Sequence, residues 1–473
     1  MAFSSLSFIL RFIPIFLIVY YLVKPRYRNA VLLIGSMVFY ACGNPYYLVL
    51  LAFSVLVNYF YANRIYRLNE YDKENNVSNI AARRVWLICA LIFNIALLLI
   101  FKYLGFGISI ANSVANLSLA APLLTLPLGI SFYTFQMISF VVDVYRRKYE
   151  EKVSLFHFAT YATMFPQITS GPITRYEIIE RTLVSYRYAN PAMLEQGITT
   201  FIVGLGYKVL LADKIASLWN DVWRVGALGI DPLTAWLGAI GYSFEIYFDF
   251  AGYSLMAIGV GNMLGFRLPT NFDNPYMVKS MTEFWRKWHI TLGTWFRDYL
   301  YIPLGGNRKG QCRMYINLLI VWMLTGLWHG ASYNFLVWGL FLFIVIAIEK
   351  TFLGELVEKS KVIGHIYMWL LIPVSWTIFN ITDLQLLGEY LCRMFFVKLP
   401  GMVNNGYDKF VELISVYWWM ILLCAFFCTP YPQKWLEKFG KSWLVKALLL
   451  IILWVCIYQL AQSGNNPFIY FSF

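Results

Sequence analysis

The sequence predicts an all-α polytopic membrane protein, and three observations carry that class: composition, the length of the apolar segments, and the placement of basic residues between them. Of 473 residues 60% are hydrophobic and 13% are charged, and the mean hydropathy is +0.60. So much apolar surface cannot be withdrawn into a soluble core. It suits a bilayer, whose hydrocarbon layer of ~30 Å takes about 20 apolar residues per helical pass. With no internal repeat and no nucleic-acid-binding module in view, one integral membrane domain over residues 1–473 is expected. N-terminal spans occupy 1–152, re-entrant and interfacial segments 153–310, and the remaining spans 311–473.

The first apolar segment, Ser5 to Val23, has no basic stretch ahead of it and no small-residue cleavage site behind it, and Lys24, Arg26 and Arg28 follow. It reads as a retained span whose basic flank stays in the cytoplasm, which puts the N-terminus outside. Ala30 to Tyr61 is broken by Gly43, Asn44 and Pro45 into a hairpin that returns at Arg64 and Arg67. Val85 to Phe101 and Leu126 to Val144 run out and back, delivering Arg146, Arg147 and Lys148 to the same side. FATYATMFPQITSGPITRY, residues 158 to 176, is too rich in Pro, Gly, Ser and Thr for a lipid-facing helix. Broken backbone at membrane depth must be covered by protein or water, so this stretch reads as re-entrant or partly unwound.

Further spans are expected at Gly197 to Ala212, Ala235 to Phe250, one bent block from Met314 to Ile348, Val362 to Phe379, Val411 to Cys428 and Leu444 to Leu460, about eleven in all. The last follows Lys434, Lys438 and Lys441, so the tail NPFIYFSF is expected outside. PLGGNRKG, 303 to 310, lacks the spacing of a phosphate loop and reads as a tight cytoplasmic turn.

The net charge of +13 follows from positive-inside retention alone, although a basic cytoplasmic surface also suits an anionic partner such as coenzyme A phosphates, anionic membrane lipids or an acidic carrier protein. The seven cysteines show no C-x-x-C pairing, which supports neither a disulfide framework nor a zinc site. No metal and no bound cofactor are expected.

Four histidines remain. His157 and His365 adjoin charged loops, where an imidazole is cheaply placed. His329 lies in TGLWHGA (325 to 331), inside a block from Met314 to Ile348 that contains no Lys, Arg, Asp or Glu. As a straight helix that block would be about 50 Å long at 1.5 Å per residue, too long for an upright pass, so it should bend near Trp328, His329 and Gly330. An imidazole there either packs between helices through a hydrogen bond or faces a cavity for chemistry. The second candidate is His289, within SMTEFWRKWHITLGTWFRDYLYIP (280 to 303). A period of about 3.6 puts Met281, Trp285, Trp288, Leu292, Trp295 and Tyr299 on one stripe, with Glu283, Arg286, Lys287, Arg297 and Asp298 off it. That is the pattern of a helix lying along the membrane interface, with His289 turned inward. An interfacial anchor holding a satisfied histidine accounts for it equally well.

A histidine without metal, cysteine nucleophile or Ser-His-Asp pattern suits acyl transfer, in which imidazole accepts the proton of a hydroxyl attacking a thioester. An unperturbed pKa near 6.5 fits a base at neutral pH, and such proton transfer contributes about a hundredfold to ten-thousandfold.

The runs YFDFAGYSLMAIGVGNMLGFRLPTNFDNPY (247 to 276), EFWRKWHITLGTWFRDYLYIPLGGNRKG (283 to 310) and TGLWHGA (325 to 331) resemble the membrane-bound O-acyltransferase (MBOAT) family, in its bacterial branch of alginate O-acetyltransferases and related polysaccharide acetylation proteins. The resemblance implies a ring of helices around a central tunnel that joins a cytoplasmic acyl donor, acetyl-CoA or an acyl carrier protein, to an acceptor outside. It implies His329 as the essential histidine and His289 at the cytoplasmic mouth. The basic residues Arg286, Lys287, Arg297, Arg308 and Lys309 are the candidates for binding on the donor side. It further implies a polysaccharide acceptor and a separate extracytoplasmic SGNH-type transferase. Aromatic residues at the end of a span ordinarily form an interfacial belt. In related systems the terminal motif looks like an acyl relay, which would make Tyr470 the first acceptor.

Leu255 stands where alginate-type members commonly carry Asp, and is similar there to the branch that exports D-alanine onto teichoic acids. D-alanyl or other acyl transfer to a cell-wall polymer is therefore the alternative. A lipid-linked saccharide transporter is a second one, with Glu245 and Asp249, one helical turn apart, as its best feature. These acids equally suit internal pairing with basic residues.

Overall fold

The computed structural model describes every residue except 123, 150, 189, 402–405, 464–467 and 469–473. All regular structure among the described residues is helical. The chain forms two compact units, Met1–Phe201 with Ala257–Pro269, and Ile202–Met256 with Thr270–Phe473. Among the described residues six helices are long and apolar enough to cross a membrane: Tyr46–Asn75, Ile80–Ala115, Tyr333–Thr351, Lys361–Asn380, Asp408–Phe427 and Trp443–Gln462. Phe8–Leu22 and Ile130–Tyr145 are shorter apolar helices. The other blocks read as spans are helical too, as Pro191–Gly206, Pro232–Met263 and Gln311–His329.

In the first unit, Arg28–Ala41 and Tyr46–Asn75 make the expected hairpin, and the break falls at Gly43, Asn44 and Pro45. The Tyr46–Asn75 and Ile80–Leu98 helices are joined through Asn58 and Asn94, whose buried amides exchange hydrogen bonds of 2.7 and 3.2 Å. A paired amide is the form in which a polar group is tolerated between apolar helices. The stretch 158–176 is interrupted as anticipated: helices Leu155–Thr163 and Phe165–Ile168 give way to irregular backbone before Tyr176. Residues 161–174 are all buried. Their backbone is held by Tyr161, whose hydroxyl donates to Thr174 O at 2.9 Å, and by Gln167 Nε2, which donates to Tyr161 O at 2.6 Å.

In the second unit the uncharged block departs from the reading of one bent span. It is a helical hairpin, Gln311–His329 and Tyr333–Ile348, turned through extended backbone at Gly330 and Ser332. Small residues allow so close a return, since a Cβ on Gly326 would lie 2.2 Å from Phe335 O. The PLGGNRKG stretch is a tight turn, as expected, with Gly305 and Gly306 at φ +108° and +55°, and Asn317 Nδ2 donating to Gly306 O at 2.9 Å. Asp249 is paired: Lys208 Nζ lies 2.7 Å from it and 2.9 Å from Asp213. Asp249, one of the two acids singled out for a transport reading, thus serves as an internal partner of a buried base.

Candidate active site

The segment carrying His289 begins with a helix that is anchored at its first turn. Ser280 accepts the N–H of Glu283 at 3.1 Å, and Glu283 accepts that of Lys279 at 3.1 Å. The buried carboxylate of Glu349 accepts the N–H groups of Met281 and Thr282 at 2.5 and 2.8 Å, the Thr282 hydroxyl at 2.6 Å and the Tyr367 hydroxyl at 3.1 Å. A carboxylate at this end both satisfies orphan donors and complements the helix dipole.

The helix ends at Lys287, and this corrects the expectation of one continuous interfacial helix. A second helix, Ile290–Phe296, starts after His289, which sits in the left-handed region at φ 44°, ψ 53°. Two backbone hydrogen bonds to the irregular segment at 271–273 accompany the break. Asp273 N–H donates to Lys287 O and Ile290 N–H donates to Asn271 O, each at 3.0 Å, diverting backbone groups that a continuous helix would use. A histidine at positive φ is uncommon and persists where its surroundings over-determine it.

His289 is inward as expected, with 1% of its surface exposed. Its Nδ1 lies 3.3 Å from Asn271 Oδ1, and its ring meets that of Phe250 edge to face at 4.7 Å. Burial pushes the imidazole down to about 3, so the ring is neutral at neutral pH.

His329 closes the Gln311–His329 helix and is 4% exposed. It is boxed by aromatic rings set nearly perpendicular to it: Trp328 at 4.9 Å, Trp338 at 5.1 Å and Phe379 at 5.2 Å. Two of those rings are fixed in turn. Trp338 Nε1 donates to Ser375 Oγ at 3.0 Å, and Asn334 Nδ2 donates to Phe379 O at 2.7 Å. Trp328 also lies 6.0 Å from the His289 ring, so its indole is the link between the two histidines.

A cleft of about 560 Å³ opens beside His289 and is lined by Trp285, Arg286, Arg297, Tyr301, Thr325 and Lys350, among others. Burial pushes the Tyr301 phenol above its usual range, which keeps it a neutral O–H. The indole N–H of Trp285 is buried and makes no hydrogen bond among the described residues. The cleft therefore gathers cations, a neutral imidazole and hydrogen-bond donors at one place.

Of the residues expected to act, the structure brings His289, Arg286 and Arg297 together in this cleft. Neither His329 nor Trp328 is among its lining residues; Trp328 contacts both His329 and the cleft-lining His289. Lys287 pairs with Glu283 at 3.3 Å, and Arg308 and Lys309 belong to the turn at 303–310; none of the three lines the cleft. Tyr470 lies outside the described residues, but Phe468 is 1% exposed and stacks on Tyr253 at 4.6 Å and meets Phe250 at 5.7 Å. Residues that sequence reasoning passed over are Asn271, Glu349 and Lys350. The last two are the first charges after the uncharged block, a signal that could have found them. Among the described residues no group of three or more His, Cys, Asp or Glu side chains is placed to hold a metal ion.

The membrane-bound O-acyltransferase family matches residues 146–384, a stretch that includes both histidines. The chain is 35% identical to the probable alginate O-acetylase of Pseudomonas putida over the whole of both proteins. It is 30% identical to the peptidoglycan O-acetyltransferase of Helicobacter pylori over all of this chain and 97% of that one. Its similarity to the teichoic acid D-alanyltransferase of Streptococcus thermophilus, 30% identity, covers 50% of this chain and 59% of the other.

Proposed function

Since the chain belongs to the membrane-bound O-acyltransferase family and is a membrane-embedded acyltransferase, we propose that it moves an acetyl group from a cytoplasmic thioester across the membrane, for O-acetylation of a cell-surface or exported polysaccharide. The carrying observation is the pair of histidines linked by Trp328, one lining a cationic cleft and the other enclosed by aromatic rings. Acetyl is favoured over D-alanyl by coverage. Two O-acetyltransferases align over essentially their full lengths, whereas the D-alanyltransferase aligns over about half of this chain. Leu255 keeps D-alanyl transfer as the second reading.

Acetyl-CoA or an acyl carrier protein is the donor, a substrate and not a resident cofactor. Arg286, Arg297 and Lys350 attract its phosphates into the cleft, while His289 shapes the donor side. Lys287, Arg308 and Lys309 add to the basic surface around it. His329 is the general base. It accepts the proton of the acceptor hydroxyl as that oxygen attacks the thioester carbonyl. The tetrahedral intermediate then collapses with cleavage of the C–S bond, and the departing sulfur takes the proton from the imidazolium. An ester and a free thiol result, and the imidazole is neutral again.

Tyr470 is the first acceptor in this account. Phe468, two residues before it in sequence, is buried against Phe250, the ring that also meets His289, and this supports the relay reading. The acyl group then passes to a separate extracytoplasmic SGNH-type transferase, with the protein in the cytoplasmic membrane and both termini outside. The test is donor transfer in membrane vesicles containing the full-length protein and supplied with labelled acetyl-CoA or labelled acetyl carrier protein. Alkali-labile label on protein or polymer with one donor is expected; label with neither, alongside transfer from a D-alanyl carrier, would replace acetyl by D-alanyl.

A further inference from the structure

We propose that Asn271 is a positioning residue that locks His289 into one tautomer, with the proton on Nδ1 and the lone pair on Nε2, so that His289 presents a hydrogen-bond acceptor to the acyl donor. Backbone chemistry fixes which end of the Asn271 amide faces the histidine. The atom 3.3 Å from the Thr291 N–H must be an acceptor, because a backbone N–H only donates, and the Thr291 hydroxyl donates to the same atom at 2.7 Å. That atom is Oδ1, and it also stands 3.3 Å from His289 Nδ1. A carboxamide oxygen cannot donate, so the proton between them belongs to Nδ1. A neutral imidazole carries one N–H, which leaves Nε2 with its lone pair.

Asn271 is itself immobilised. It is 1% exposed, and its carbonyl accepts the Ile290 N–H at 3.0 Å. Its Nδ2, by contrast, is buried with no hydrogen bond among the described residues. A buried amide kept at the cost of an unsatisfied donor is retained for its oxygen. The acyl-transfer reading identifies what His289 meets: coenzyme A and carrier-bound donors present their thioester on a pantetheine arm with amide N–H groups, the donors an Nε2 lone pair accepts.

Nitrogen NMR on full-length protein labelled at its histidines tests this directly, since there are four imidazoles and His289 is assigned by its loss in His289→Gln. The wild-type protein is expected to show protonated Nδ1 and unprotonated Nε2 at His289. Asn271→Leu should lose that preference and raise the donor KM about tenfold with a smaller change in kcat, and Asn271→Asp, which keeps the acceptor oxygen, should restore both. Protonated Nε2 in the wild type, or an unchanged tautomer in Asn271→Leu, would overturn the assignment. The wild-type spectrum decides even where a variant does not fold. It needs no turnover, so failure here and failure of the acyl-transfer reading are seen separately.

Discussion

The carboxylate of Glu349 takes both the backbone N–H and the hydroxyl of Thr282, at 2.8 and 2.6 Å. Through this pair the end of the uncharged hairpin fixes the first turn of the helix that carries Trp285 and Arg286 into the cleft. Glu349→Ala leaves buried donors unsatisfied and should lower stability by about 1.5–3 kcal/mol, the range for hydrogen bonds to charged groups. Glu349→Gln, which keeps an acceptor oxygen, should lose less. Thermal unfolding of the purified protein in detergent checks the order.

A methyl group at Gly330 has no room. Its Cβ would fall 2.0 Å from the Phe335 ring, directly after His329. Gly330→Ala should therefore cost about 1–3 kcal/mol of overpacking and depress acetylation by displacing the imidazole. Combining it with Phe335→Leu should recover part of both, and a double-mutant cycle on stability and activity measures the coupling.

Cations in the cleft should act on donor binding more than on turnover. Arg286→Ala and Lys350→Ala are each expected to raise the donor KM about tenfold, equivalent to about 1.4 kcal/mol, with kcat less affected. Arg308→Ala and Lys309→Ala, in the turn outside the cleft, should stay within about twofold, as exposed charges commonly do. Steady-state kinetics with the thioester donor separate the groups.

Tyr470→Phe removes the hydroxyl that a relay requires and leaves the aromatic ring. Acetylation of polymer in cells should fall at least about tenfold if the phenol carries the acyl group, the scale of a lost chemical step. Full acetylation by the variant would remove the relay.

Much of this architecture was legible in the residue pattern, and the rest was hidden for identifiable reasons. Gly43, Asn44 and Pro45 mark a hairpin because they cannot sustain a helix, and the Pro, Gly, Ser and Thr of 158–176 mark broken backbone that the protein then buries. The break at His289 left no such mark. Its flanking helices keep their apolar residues in phase, and the interruption is accompanied by backbone hydrogen bonds to Asn271 and Asp273, distant in sequence, which periodicity does not register. The hairpin at Gly330 looks like a bend in the sequence for a related reason. The absence of charge shows that a block is buried or lipid-facing, but two close-packed helices joined by three residues look the same as one long one. His329 and His289 stood out because ionisable groups are rare in such surroundings. Asn271, uncharged and outside any helical stripe, did not.

The central claim is that His329 is the base for acyl transfer, and the most direct measurement is alkali-releasable acetate on the surface and secreted polysaccharide of cells making the wild-type protein, His329→Ala or neither, at matched membrane levels. Acetate with the wild type that disappears in His329→Ala is the predicted result; normal acetylation by His329→Ala would contradict it.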